Sequence, residues 1–156
     1  MRNGWLILAA TSGLLASPGC ARQTQQPQYK MLASVEDLME GVVEPSSKKL
    51  FEIGGLQSSA TGSQKIAPKD DEEWSQVKHS AMAVAEVGNI LKSFEPRARE
   101  ADWNKNAQDL IDSALAVSRG VDARNPDAVF EAGGHLYDAC TACHMKYLPQ
   151  TEPPPP

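Results

Sequence analysis

Two cysteines and a histidine lie close together near the carboxyl end of the chain, in the segment Asp138–Tyr147. Cys140 and Cys143 are three residues apart, and His144 follows directly. Residues three apart share a face of a helix, so both sulfurs can reach the two vinyl groups along one edge of a porphyrin. His144 can then offer a nitrogen to the iron. Cys-x-x-Cys-His is the attachment pattern of c-type haem, so the segment predicts one covalently attached haem c.

Three other uses of these side chains remain open. Zinc could be bound by His135, Cys140, Cys143 and His144, although the spacing of five residues turns His135 away from the cysteine face. A thioredoxin-like dithiol requires its cysteines at the start of a helix that follows a strand, whereas these lie at the end of the last predicted helix. A disulfide between Cys140 and Cys143 is the third alternative. His79 and His135 are otherwise expected to be solvated surface residues without a role.

Four helical segments are predicted to position these residues, and the first begins at Ser34, whose side chain can cap the helix. Its apolar positions are Val35, Leu38, Met39, Val42, Val43, Leu50 and Ile53. Pro45 removes one backbone hydrogen bond and presses on the carbonyl of Gly41, so we expect a kink rather than a stop. The helix is expected to end at Gly54, and residues 57–69 to form a flexible crossing loop without a strand.

The second helix is expected to be capped by Asp70 and stopped by Pro96, and the third to close at Gly120. The fourth begins at Asn125, with a proline in its first turn. One face of this fourth helix carries Phe130, Gly133, Tyr137, Cys140 and His144. Four helices of about 20 residues, each about 30 Å long, predict an all-α fold. Short connections favour an antiparallel up-down-up-down four-helix bundle, a haem domain at residues 34–148.

The ends of the chain differ from the helical region. Residues 1–20 combine one positive charge, an apolar run too short to span a bilayer and a zone of small residues, which predicts a secretory signal peptide. Residues 21–33 are polar and Gln-rich, as expected of a tether. The proline-rich tail 149–156 is expected to be disordered and extended.

Cys20, at the end of the predicted signal peptide, has two interpretations. The segment Leu15–Cys20 resembles a bacterial lipobox, in which a small residue precedes a cysteine that is then acylated. It departs from that pattern at Ser17, where leucine is usual, and at Pro18. Cleavage after Ala21, which would discard Cys20, is the alternative. Either way we expect a periplasmic protein, held on a membrane if Cys20 is lipidated, and haem attachment of this kind also occurs outside the cytoplasm.

The composition limits the classes of partner. The chain has 156 residues, enough for one ordinary domain, and 41% of them are apolar. It contains 20 Asp and Glu against 15 Lys and Arg, without a basic run, which argues against nucleic acid as a partner. The acidic charge favours a redox partner with a basic docking patch. The apolar residues would also suit a homodimer face.

The export signal, the four helical segments and the haem motif resemble the cytochrome c′ family, also called class II cytochromes c. The resemblance covers residues 34–148. It is carried by Cys140, Cys143 and His144 together with Tyr147, since members commonly have an aromatic residue three positions after the histidine. A basic residue usually follows that aromatic, and Leu148 stands there instead. The family implies one of two functions: electron transfer through six-coordinate iron, or binding of nitric oxide or carbon monoxide at five-coordinate iron.

The residue on the second face of the haem separates these functions. In an antiparallel bundle the start of the first helix lies beside the end of the fourth, which puts Met39 at about the height of His144. Met39 is therefore the expected distal ligand, Met31 is the alternative, and Leu38 could instead cover an open site. A thioether opposite histidine favours reversible one-electron transfer. The sequence thus predicts an electron carrier rather than an enzyme, working with periplasmic or membrane-bound redox proteins. A gas-binding protein and an interaction lipoprotein whose cysteines merely pair are the alternatives.

Overall fold

The structure is a computed structural model that describes residues 30–148. The predicted signal peptide 1–20 with Cys20, most of the predicted tether and the predicted tail 149–156 lie outside these residues. Within the described part, the chain is mostly helical, with four helices of 11 to 22 residues and one short hairpin. None of the described helices has the length and apolar character needed to cross a membrane.

The first predicted helix forms in three consecutive pieces. They are α1 (Val35–Leu38), a π-helical turn (Met39–Val43) and α2 (Glu44–Gly54). Ser34 caps α1: its Oγ accepts a hydrogen bond from the Asp37 N–H at 3.0 Å, and the Asp37 carboxylate accepts one from the Ser34 N–H at 2.8 Å. This is a capping box, in which side chains pair with two N–H groups that the helix leaves unbonded.

The chain passes Pro45 without a break in its helical structure. The expected interruption takes the form of the wider π turn immediately before the proline, and Pro45 falls in the first turn of α2. A proline is tolerated in the first turn of a helix because no hydrogen bond from its nitrogen is needed there.

The expectation that residues 57–69 contain no strand was wrong. Strands β1 (Leu56–Ser59) and β2 (Gly62–Lys65) form an antiparallel hairpin. Every residue of both strands is exposed, so they lack the alternation of apolar and polar side chains by which a half-buried strand is recognised in a sequence. Gly62 has a φ of +136°, which a residue with a side chain rarely adopts.

Three long helices follow: α3 (Asp71–Leu91), α4 (Ala101–Asp122) and α5 (Pro126–Tyr147). Two of them begin with the caps expected from the sequence. Asp70 Oδ1 accepts from the Glu73 N–H at 2.9 Å, and Asn125 Oδ1 accepts from the Ala128 N–H at 3.1 Å. Side-chain caps of this kind typically stabilise a helix by about 1 kcal/mol.

Gly120 does not close α4, as the sequence had suggested, because the helix continues to Asp122. A Cβ atom at Gly120 would lie 3.0 Å from both the backbone nitrogen and Cγ2 of Val129. The glycine therefore allows the start of α5 to pack closely on α4. The chain turns between the two helices at Arg124, whose φ is +49°.

The core lies where α4 packs on α3 and α5 and where α2 packs on α3 and α5. Its largest fully buried side chains are Leu50, Leu136, Val77, Val84, Val117 and Val129. On α5 the buried stripe is Val129, Ala132, Gly133, Leu136 and Ala139. Gly133 belongs both to this stripe and to the helix face expected from the sequence. The other four buried residues each precede a residue of that expected face by one position. Tyr137 is 63% exposed and Cys140 is half-buried, so the cysteine face borders the core instead of forming it.

Candidate functional site

Two adjoining cavities lie between the π turn and the carboxyl half of α5. The end of α3 and α4 complete the wall of the inner cavity, and α2 completes the wall of the outer one. Met39, Val43, Cys140 and His144 line both of them. The inner cavity has a volume of about 40 Å³, and its other lining residues are Leu91, Trp103, Asn106, Ala107, Leu110, Ala139 and Cys143. The outer cavity has a volume of about 420 Å³, and its other lining residues are Glu40, Glu44, Ser47, Phe51, Tyr137 and Thr141.

Cys140 and Cys143 occupy the last two turns of α5 as half-buried, free thiols. Burial raises the pKa of the Cys140 thiol, and the neighbouring Cys143 raises it further. Burial also raises the pKa of the Cys143 thiol, while the Arg97 guanidinium acts in the opposite direction. Both groups therefore stay protonated at neutral pH in the haem-free chain, which slows their reaction with oxidants because the thiolate is the reactive form.

His144 lines both cavities and is exposed. His79 and His135 are also exposed, as expected, and neither lines a cavity with the cysteines. Within residues 30–148, no group of three or more His, Cys, Asp or Glu side chains is arranged to hold a metal ion. The zinc alternative, which needs His135 beside the cysteines, thus has no assembled site in this part of the chain.

Met39 lines the same two cavities as His144 and Cys140, where the sequence placed it. The alternative ligand Met31 is half-buried but lines neither cavity. Leu38, the alternative cover for an open site, is buried in the core and also lines neither. Met82 and Met145 are exposed. Of the methionines in the described residues, Met39 is thus the one that the fold brings to the cysteines and the histidine.

Ser47 contributes an unusual polar atom to the wall of the outer cavity. Its Oγ is buried and has no hydrogen-bond partner among the described residues. Two other helical hydroxyls are bonded: Ser113 Oγ donates to the Asp109 carbonyl at 2.6 Å, and Thr141 Oγ1 donates to the Tyr137 carbonyl at 3.0 Å. A buried hydroxyl without a partner costs about 1–3 kcal/mol, and folded proteins contain few of them.

These wall residues fit the group predicted from the sequence. The inner cavity is mostly apolar, two thiols and an imidazole come from α5, a thioether comes from the π turn, and the outer wall carries an orphaned hydroxyl. A large apolar ligand with a polar edge suits this combination, since ligand sites are mostly apolar with a few placed polar groups. Haem is such a ligand.

Arg97 belongs to the site region but was missed in the sequence. It lies on a short 3₁₀ turn (Arg97–Arg99), with its guanidinium carbon 4.9 Å from the centre of the Tyr147 ring and 5.5 Å from that of Trp103. A cation thus lies beside Tyr147 although Leu148 stands where the cytochrome c′ pattern has a basic residue. Nothing in the local sequence could connect Arg97 with Tyr147, because fifty residues separate them.

The two aromatic rings beside Arg97 hold the last turn of α5 against α4. Trp103 and Tyr147 meet edge to face, with ring centres 5.0 Å apart and planes at 83°. The Trp103 Nε1–H donates to the Leu91 carbonyl at 2.7 Å, and the Tyr147 hydroxyl lies 3.2 Å from a Glu100 carboxylate oxygen. Edge-to-face pairs contribute about 0.5–1.5 kcal/mol beyond their burial, so this contact steadies the turn that carries Cys143.

Comparisons with protein-family models, with curated proteins and with solved structures found no match for this chain. The resemblance to class II cytochromes c therefore rests on the haem motif and the helical pattern of the sequence. The cavity geometry is a separate observation, made on the fold.

Proposed function

We propose that this chain is an exported c-type cytochrome that carries one electron through a single covalently bound haem. The four helices would form an antiparallel bundle, with His144 as the proximal and Met39 as the distal iron ligand. The observation that carries the proposal is that Met39, about one hundred residues away in sequence, lines the same inner cavity as Cys140, Cys143 and His144.

Each of these side chains has a separate role. Cys140 and Cys143 would form the two thioether bonds, and their half-buried positions in successive turns place them along one edge of the cavity. His144 and Met39 would bind iron from opposite sides. Haem bound in this way supplies an iron centre that gains and loses one electron, and a methionine opposite histidine raises its reduction potential.

The remaining wall residues set the surroundings of the haem. Val43, Leu91 and Leu110 give the inner cavity an apolar lining that keeps water from the metal. Ser47 would donate its orphaned hydroxyl to the polar edge of the group. Glu40 and Glu44 make the rim of the outer cavity acidic. This rim suits a redox partner with a basic patch, because complementary charge speeds encounter.

The proposed setting is the periplasm, with membrane-bound or soluble redox partners. Lipidation of Cys20 would hold the protein near membrane-bound partners through the polar segment that follows it. Homodimer formation is compatible with this role. The protein would be a carrier, so it would turn over no substrate of its own.

The test is to express the full chain in a bacterium that exports it and attaches c-type haem. The intact mass of the matured protein should exceed that of the polypeptide by one haem, and the colour should survive denaturation. The variant Cys140→Ala/Cys143→Ala should lose both properties, whereas the control Ser75→Ala, at an exposed position on α3 that lines neither cavity, should keep them. A wild-type mass equal to that of the polypeptide alone refutes the proposal.

A gas-binding haem protein is the second candidate. If Met39 leaves the iron free, the open position would be surrounded by the apolar residues Val43, Leu91 and Leu110, which would suit a small uncharged gas. Carbon monoxide separates the two functions. It should bind the reduced wild-type protein at once if the iron is five-coordinate, and barely at all if Met39 occupies the sixth position.

A further inference from the structure

The direction of Met39 depends on the π-helical turn in which it lies. The Glu44 N–H bonds to the Met39 carbonyl, five residues back instead of four. Such a turn contains one more residue than an α-helical turn. With 3.6 residues per turn, one extra residue rotates everything before it by about 100° relative to α2.

Burial along the helix shows the effect of this rotation. Val43 and Leu50 are both buried, and they lie nearly two turns apart on one face. On an unbroken α-helix, Met39 would continue that buried face and Leu38 would point about 120–140° away from it. The structure has the reverse arrangement: Leu38 is buried in the core, and Met39 is half-buried where it lines the cavities.

Pro45 provides the physical reason for the π turn. In an α-helix its ring would collide with the Gly41 carbonyl, and that carbonyl would lose its hydrogen bond. The π turn lets α2 begin at Glu44, which puts Pro45 in a first turn, where a missing N–H costs nothing. A Cβ atom at Gly41 would meet nothing within 4 Å, so the turn does not depend on a lack of space there.

We propose that Pro45 is a positioning residue for the distal ligand: by imposing the π turn, it directs the Met39 thioether into the cavity that holds Cys140 and His144. This inference rests on the proposed haem function for its consequence. The effect of Pro45 on the direction of Met39 does not depend on whether haem binds.

Pro45→Ala tests the proposal because it permits a continuous α-helix. Each residue before the turn then occupies the position that the preceding residue has in the wild-type structure. Met39 moves to the core position of Leu38, and Glu40 takes its place at the cavity. The matured variant should lose the methionine–iron band and bind carbon monoxide, although Met39 is still present. Pro126→Ala, the same change in the first turn of α5, should leave the spectrum unchanged.

Two further variants distinguish a positioning role of Pro45 from a general loss of structure. The triple variant Met39→Leu/Glu40→Met/Pro45→Ala should regain the methionine–iron band, because position 40 then faces the inner cavity, whereas with Pro45 present it lines only the outer one. The double variant Met39→Leu/Glu40→Met, with Pro45 kept, should lack the band. A triple variant that stays five-coordinate overturns the proposal.

A measurement on the haem-free full chain keeps this inference distinct from the proposed function. In protein with ¹³C-labelled methionine methyl groups, the Met39 methyl should show nuclear Overhauser contacts with the His144 ring, and Pro45→Ala should abolish them. If these contacts change as expected in a chain that attaches no haem, the positioning role holds while the cytochrome proposal fails. If Pro45→Ala leaves the contacts unchanged, the positioning role is refuted.

Discussion

Two of the helical segments that line the candidate site, α5 and the irregular first helix, present their residues in different ways. α5 is one continuous helix of 22 residues with a side-chain cap at Asn125. The opposite segment changes its hydrogen bonding at Met39, within a π turn followed by Pro45. Any regular helix carries the spacing of Cys140 and Cys143, whereas the direction of Met39 depends on backbone register. One side of the site can therefore be recognised as a motif, and the other depends on the three-dimensional structure.

The largest expected effect, on the binding of carbon monoxide, comes from removing the thioether of Met39 in the π turn. Met39→Leu should turn a reduced protein that resists carbon monoxide into one that binds it, because no other methionine of the described residues lines the cavities. The two side chains are similar in volume, so the free energy of unfolding should change by less than about 1.5 kcal/mol. Absorption spectra and chemical denaturation measure the two quantities. The control Met82→Leu, at an exposed position on α3, should change neither; unchanged gas binding in Met39→Leu would remove Met39 from the site.

A second comparison concerns the stability of the two sides. Leu136→Ala on α5 should lower the free energy of unfolding by about 2–5 kcal/mol, because Leu136 is completely buried in a continuous helix. Leu38→Ala should cost less, since Leu38 is 9% exposed and lies in a single helical turn that can relax around the lost volume. Urea denaturation of the haem-free protein gives both values. Equal costs, or a larger cost at Leu38, would contradict the view that α5 is the more rigid side.

The smallest expected effect concerns Ser47, where one substitution should change the free energy of unfolding in opposite directions in the haem-free and the loaded protein. In the haem-free protein, Ser47→Ala removes an unsatisfied buried hydroxyl and should stabilise the fold by about 1 kcal/mol. In the loaded protein the same change would remove the proposed hydrogen bond to the haem, so it should destabilise by a similar amount. Ser46→Ala, next to it on α2, controls for helix propensity, which is worth up to about 0.5 kcal/mol. Thermal unfolding of both forms provides the measurement, and the same sign in both would remove Ser47 from the haem contacts.

The parts that the sequence predicted depend on short-range rules. Ser34, Asp70 and Asn125 act as caps as expected, because a cap involves residues only three positions apart. The Cys-x-x-Cys-His motif also lies within a few residues, and its attachment of haem stays a prediction. The exposed hairpin was missed because it has no buried face, and Gly120 was misread because its role is to admit Val129 from another helix.

The irregular helix shows a limit of pattern reading. Its apolar residues occur in adjacent pairs, Leu38 with Met39 and Val42 with Val43, so the pattern fits two registers that differ by one residue. Only the backbone decides which member of each pair faces the core. The contact between Arg97 and Tyr147 could not be predicted from the sequence for another reason, because it exists only after α4 and α5 have packed.

The most direct test of the central claim is the absorption spectrum of the matured wild-type protein, ferric and ferrous, before and after carbon monoxide. His144 and Met39 as joint ligands predict low-spin spectra, a methionine–iron charge-transfer band and little response to the gas. High-spin spectra that shift at once on adding carbon monoxide would contradict Met39 ligation and establish the gas-binding alternative. The absence of any haem absorption would contradict the cytochrome proposal as a whole.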